Sequence, residues 1–192
     1  MVVGYGGLCD CKVVIDTVRR QFNTPEMSTD SASIRIVAAA ESDIPLILSF
    51  IHKLAEYERL ASACVATEEG IRRTLFQEPR AAEVLFAYDS GTPVGFALFY
   101  HNYSTFLAKR GLFLEDLFVV PEAREQGVGY ALLTALAGIA LSRDCARMEW
   151  SVLRWNQLAI DFYLRIGAVP LDDWATYRLI GEPLQRLAAA AG

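Results

Sequence analysis

Two glycines one residue apart, Gly127 and Gly129, stand directly before residues 130–141, a run that is apolar on almost every side. A helix of that kind must be buried, and a sheet is its natural support. The preceding residues supply the strands. EVLFAYDSGTPVGFALFYH (83–101) reads as two strands about a hairpin-type turn at Ser90-Gly91-Thr92. After a polar loop from Asn102 to Arg110, GLFLEDLFVV (111–120) reads as a third strand, stopped by Pro121.

Earlier in the chain, residues 34–37 alternate like a short strand. ESDIPLILSFIHKLAEYERL then sets Ile44, Ile47, Ile51 and Leu54 on one helical face, with Ser42 or Asp43 available as a cap. TEEGIRRTLF suggests a shorter helix opened by Thr67. Beyond the glycines, residues 147–153 alternate as a strand, and NQLAIDFYLRIGA has Asn156 to cap a helix and Gly167 to end it. Residues 174–180 are strand-like, and 184–191 weakly helical. A meander followed by alternating helices and strands predicts one mixed α/β domain over 34–190, with no linker or repeat.

At 192 residues, 53% hydrophobic and 21% charged, the chain has the composition of a single globular domain. Its longest strongly apolar stretch, 131–141, is about half of what a bilayer crossing needs, so no membrane partner is expected. A formal charge of −5 argues against nucleic acid and is compatible with a cationic substrate. Cysteines at 9, 11, 64 and 145, with His52 and His101 distant from the close pair, offer no zinc spacing. Reduced thiols in a cytoplasmic protein are the expectation. Residues 1–33 lack the pattern of a secretory signal and are given no function; Met27 is read as an alternative translation start.

Glycine at a helix start costs stability, and a ligand at the bare N–H groups offsets it. Arg124, at the mouth of PEAREQGVGYALL, adds a cation suited to phosphate. The bland alternative is a strand-to-helix turn whose glycines serve packing. Neither of two familiar phosphate motifs fits well. A Walker loop needs Gly-Lys-Ser/Thr, whereas Tyr130 and Ala131 follow Gly129; a dinucleotide fingerprint needs a third glycine where Leu132 stands. Glu149, 20 residues beyond Gly129, keeps the second motif from being excluded outright.

Arg124-Glu125-Gln126-Gly127-Val128-Gly129 resembles the R/Q-x-x-G-x-G/A signature of the GNAT family of N-acetyltransferases. FLEDLFVVPEAR, then WNQLAIDFY and RIGA, are similar to the diamine (spermidine/spermine) and thialysine acetyltransferase branch. The resemblance runs from Ile34 to about Leu187. It implies a central, mostly antiparallel sheet with a splayed parallel strand pair, flanked by helices.

It also implies acetyl-CoA as cosubstrate and no metal. Backbone groups of Gln126, Gly127, Val128, Gly129 and Tyr130 would hold the pyrophosphate, with Arg124 and Glu125 beside them. Leu117, Phe118 and Val119 would pair with the pantetheine arm, and a bulge there would free an N–H for the acetyl carbonyl. Asn156 matches a position near the cofactor.

An attacking amine must be neutral, so a carboxylate has to take its proton. By matching position Glu115 is the candidate base and Asp116 a substrate-charge residue, the two alternating across the strand's faces; in another context both would simply be solvated acids. Tyr163 matches the tyrosine that protonates the departing thiolate, against the plainer reading of a core aromatic. Tyr57, Glu58, Trp174 and Tyr177 match positions near the amine pocket. ASACVATEE carries less charge than the branch's acid-rich stretch after the first helix. The expected reaction is direct acetyl transfer to a small primary amine, a polyamine, diamine or lysine-like amino acid. A non-catalytic CoA sensor and an enzyme acting on protein amino groups are the alternatives. By analogy with the branch, a homodimer is expected.

Overall fold

A computed structural model describes residues 34–190; the expected extension at 1–33, with Cys9 and Cys11, lies outside the described residues. The described chain divides after Glu149 into two compact units.

The first unit holds the meander. β1 (Ile34–Ala38), β2 (Glu83–Asp89), β3 (Thr92–Ser104) and β4 (Lys109–Val119) lie in sequence order, each antiparallel to the next. β5 (Met148–Trp150) is placed next to β4 and runs parallel to it. The junction is anchored where Ala146 N donates to Arg110 O at 2.8 Å and Leu112 N to Arg147 O at 3.0 Å. Ser90 (φ 49°) and Gly91 (φ 84°) turn the β2–β3 hairpin, both left-handed as a tight hairpin requires. The polar loop is shorter than the sequence suggests. Asn102, Tyr103 and Ser104 prolong β3 against Arg110 and Lys109, because ladder pairing overrides their polarity.

Two apolar layers cover the sheet. Helix α1 (Ile44–Tyr57) buries Ile44, Ile47 and Phe50 completely, with Ile51 and Leu54 half-buried. These meet Val84, Phe86, Phe96 and Phe118 of the sheet, and Ile71 and Leu75 from the short helix α2 (Glu68–Ile71) and the π-helical turn Arg72–Phe76. Phe50 is the hub, its ring centroid 5.7 Å from Phe86, 5.3 Å from Phe96 and 6.3 Å from Phe118. Thr67 caps α2 as expected, accepting from Gly70 N at 3.1 Å. The expected cap on α1 is not made. Asp43 Oδ2 instead accepts from Ala40 N at 2.8 Å, stabilising a 3-10 turn (Glu41–Asp43) ahead of the helix.

Helix α3 (Val128–Ser142) lies on the opposite face and buries Val128, Leu132, Leu133, Leu136 and Ala140. A Cβ on Gly95 would lie 3.1 Å from Val128 and 3.3 Å from Leu132, so Gly95, Ala97 and Phe99 of β3 point toward α3.

The second unit carries α4 (Gln157–Arg165) and α5 (Gly181–Ala189). Asn156 Oδ1 accepts from Ala159 N at 3.4 Å, and Gly167 takes a left-handed φ of 88° just past α4, as the sequence suggests. Residues 174–180 form no strand, against expectation. The run WATYRLI has strand composition, but β-propensity realises itself only in a ladder, and the described sheet does not include this run.

Candidate active site

The glycine pair is the start of α3. Gly127 is the N-cap, left-handed at φ 83°, ψ −2°, and no side chain caps the helix. The first-turn N–H groups are therefore left to solvent or a ligand. A Cβ at Gly127 would meet nothing within 4 Å, so the glycine keeps open a space that a side chain would fill. This is the arrangement a pyrophosphate fits, since its oxygens need donors and close backbone approach. Gly129 lies against β4, where an added Cβ would be 4.0 Å from both Leu117 and Val119. The loop is pinned from outside. Gln126 Nε2 donates to Glu122 O at 2.8 Å, and Arg124 Nε to Val119 O at 3.1 Å. Of the motif residues, Val128 is buried core, while Glu125 (φ 62°) and Tyr130 are exposed.

Val120 N donates to Val94 O, which fixes the phase of β4. By alternation the N–H groups of Leu117 and Val119 point away from β3, toward the side where an added extended ligand would pair.

The expected bulge is in β4, at Glu115. Leu98 pairs with Asp116 and Phe99 with Leu114, so Glu115 has no residue opposite. The extra residue breaks the face alternation. Before it, Leu114 pairs with Phe99 on the α3 side; after it, Phe118 joins the α1 core. Asp116, two residues from Phe118, falls on the α1 face. Glu115 and Asp116 are thus not a simple pair on opposite faces.

Burial, and then the charges of Glu115 and Glu58, push the Asp116 carboxyl up to about 6. Glu58, at the C-terminal end of α1, is raised by burial as well. The Tyr100 phenol is raised by burial and by Glu115, which places Glu115 near the Tyr100–Phe113 ring pair, with centroids 5.2 Å apart. The fold brings Glu58, Glu115 and Asp116 into one electrostatic neighbourhood.

Tyr57 is drawn to the same region. Its ring stands edge-on to Phe118 at 6.2 Å, and the Arg124 guanidinium carbon lies 4.6 Å from the Tyr57 centroid and 5.8 Å from that of Phe118. The motif arginine reaches across to α1, a contact that the spacing of 67 residues hides in the sequence. Glu149 has a structural partner set, Asn102 Nδ2 and Arg147 Nε, each at 2.9 Å, and so does not support the dinucleotide reading.

In the second unit, Tyr163 packs on Trp150, ring centroids 5.0 Å apart, and on Phe162 at 5.6 Å. Burial pushes its phenol up, so the hydroxyl keeps its proton at neutral pH. Trp174 and Tyr177 lie in the irregular segment before α5, and both are exposed.

No group of His, Cys, Asp and Glu able to hold a metal occurs among the described residues, and no helix described is long and apolar enough to cross a membrane.

Residues 51–168 match the acetyltransferase (GNAT) family. The chain is 37% identical to a thialysine N-epsilon-acetyltransferase of Bos taurus, covering 82% of this chain and 98% of that protein. It is 33% identical to an L-ornithine N5-acetyltransferase of Arabidopsis thaliana, covering 80% and 87%. Among solved structures, an integron cassette protein from the mobile metagenome of V. cholerae superposes with a TM-score of 0.69 at 27% identity, covering 82% of this chain and 99% of that one.

Proposed function

The chain belongs to the acetyltransferase (GNAT) family and is an N-acetyltransferase, and from that premise we propose that its substrate is a small primary amine carrying a second charged group. A diamine, a polyamine or a lysine-like amino acid meets that description. The similarity to thialysine and ornithine acetyltransferases supports this reading, as does the net charge of −5. The observation that carries it is the gathering of Glu58, Glu115 and Asp116 just ahead of the β4 segment Leu117–Val119.

Acetyl-CoA supplies the activated acetyl group and the thiolate leaving group. Backbone N–H groups from Gln126 to Tyr130 bind the pyrophosphate, with Gly127 leaving room for it. Leu117 and Val119 present outward N–H groups to the pantetheine arm, Phe118 holds the strand in the core, and Asn156 lies by the cofactor. The base is assigned to Asp116. A carboxylate raised to about 6 is mostly ionised at neutral pH yet basic enough to take an ammonium proton. Glu115, the base by motif position, then serves the substrate's charge together with Glu58 and raises the basicity of Asp116. Tyr163 donates its hydroxyl proton to the departing sulfur, the burial of its phenol keeping that proton in place until the thiolate forms. Tyr57 and Trp174 flank the amine, the latter on motif position alone.

Residues 34–190 are proposed to act as one catalytic domain in the cytoplasm, as a homodimer. The test is a CoA-release assay across an amine panel of thialysine, L-ornithine, spermidine and a lysine-containing protein. Turnover of one or more of the small amines is expected; turnover of the protein alone, or of none, overturns the proposal.

A further inference from the structure

The side chain of the motif arginine is engaged within the protein itself. Arg124 Nε is used by Val119 O at 3.1 Å, and its guanidinium plane lies over two rings, Tyr57 at 4.6 Å and Phe118 at 5.8 Å. Tyr57 is the last residue of α1, and Glu58 follows as its C-cap. The helix stops there because Arg59 turns left-handed at φ 63°, closed by Arg59 N donating to Glu56 O at 3.0 Å and Leu60 N to Ala55 O at 2.8 Å. Those bonds fix the backbone turn, and the helix end they close carries a partial negative charge that a cation stabilises. A flat, weakly hydrated guanidinium lying over both rings adds a stacking contact to that charge, which an ammonium does not.

We infer that Arg124 is a positioning residue for the amine site. It clamps Tyr57 against Phe118 and so holds Glu58 beside Asp116, while its own backbone opens the loop that grips the cofactor. One residue thereby ties the wall of the amine pocket to the mouth of the pyrophosphate site. The inference rests on the acetyltransferase reading for its consequence, but its geometry is independent of it.

The test separates the clamp from a phosphate-binding role by binary calorimetry with CoA and, separately, with thialysine. Arg124→Gln is expected to weaken thialysine binding about tenfold while CoA binding stays within about twofold. Arg124→Lys, which keeps a cation for phosphate but loses the flat face, should fail for thialysine in the same way. Tyr57→Leu should reproduce the selective loss with Arg124 intact, and Tyr57→Phe should not. A tenfold loss of CoA affinity in Arg124→Gln that Arg124→Lys restores, with thialysine binding unchanged, overturns the clamp. So does an equal loss of both ligands.

A second readout needs no ligand. The Arg124 side-chain protons should show upfield ring-current shifts that Tyr57→Leu removes, and unshifted protons in the wild-type protein overturn the clamp. Absence of CoA binding to the wild-type protein counts against the acetyltransferase reading, while these shifts still decide the clamp.

Discussion

The Oδ1 atom of Asn102 lies only 2.2 Å from the point where a Cβ on Gly111 would stand. The two residues are cross-strand partners in the β3–β4 ladder, and the Asn102 amide continues outward to Glu149, which in turn pairs with Arg147. Glycine at 111 is therefore what lets β3, β4 and the start of β5 share one polar network. Gly111→Ala is expected to destabilise the protein by about 1–3 kcal/mol through overpacking and loss of the Asn102–Glu149 bond. Urea unfolding measures it; a change below about 0.5 kcal/mol would show that Asn102 moves aside freely.

The motif glycines should answer differently to the same substitution. Gly127 is left-handed with open space where its side chain would be, so alanine there adds about 1 kcal/mol of backbone strain and fills the ligand's space. Gly129→Ala makes only an ordinary contact with Leu117 and Val119 and gains helix propensity. Calorimetry with CoA should show a loss of about tenfold or more for Gly127→Ala and less than about threefold for Gly129→Ala. Equal effects would mean that the left-handed position has no special part in binding.

Asp116 links activity to stability with a definite sign. Its folded pKa is raised from 3.8 to about 6, so the folded state binds more protons than the unfolded one between those values, and this contribution to stability is lost as pH rises through that window. Asp116→Asn should match the wild-type melting temperature near pH 4 and exceed it at pH 7. The same variant should lose the acidic limb of the pH profile of kcat/KM near pH 6, with activity down by about a hundredfold. An unaltered limb would return the base role to Glu115.

Tyr163→Phe removes a hydroxyl and leaves the stack on Trp150 in place. Turnover should fall by about ten- to a hundredfold while CoA affinity stays within about twofold. Undiminished turnover would reduce Tyr163 to a packing residue.

Much of this was legible in the sequence because the signals were local. The apolar run that became α3 and the Ser90-Gly91 turn needed only periodicity and turn chemistry, as did the Thr67 and Asn156 caps. Long-range features were hidden. Nothing near Arg124 announces a ring from α1, and the pairing of Asn102 with Gly111 turned an apparent loop into strand. The run at 174–180 misled in the other direction, its composition inviting a ladder that the described sheet does not provide. In the candidate site, the motif blocks marked where the acids lie. Which face each acid occupies depended on one unpaired residue that no alternation rule could place.

That residue sets the bend of β4 and takes no part in its pairing. Substituting Glu115 alters one carboxylate and leaves the register alone. Removing it would close the ladder, leaving Asp116 opposite Leu98 and Phe118 opposite Phe96 on the faces they already occupy, but would take the bend out of the strand just ahead of Leu117–Val119. The position can thus exchange its identity in the course of divergence, whereas a deletion there would spare the core and change the shape of the strand beside the acids.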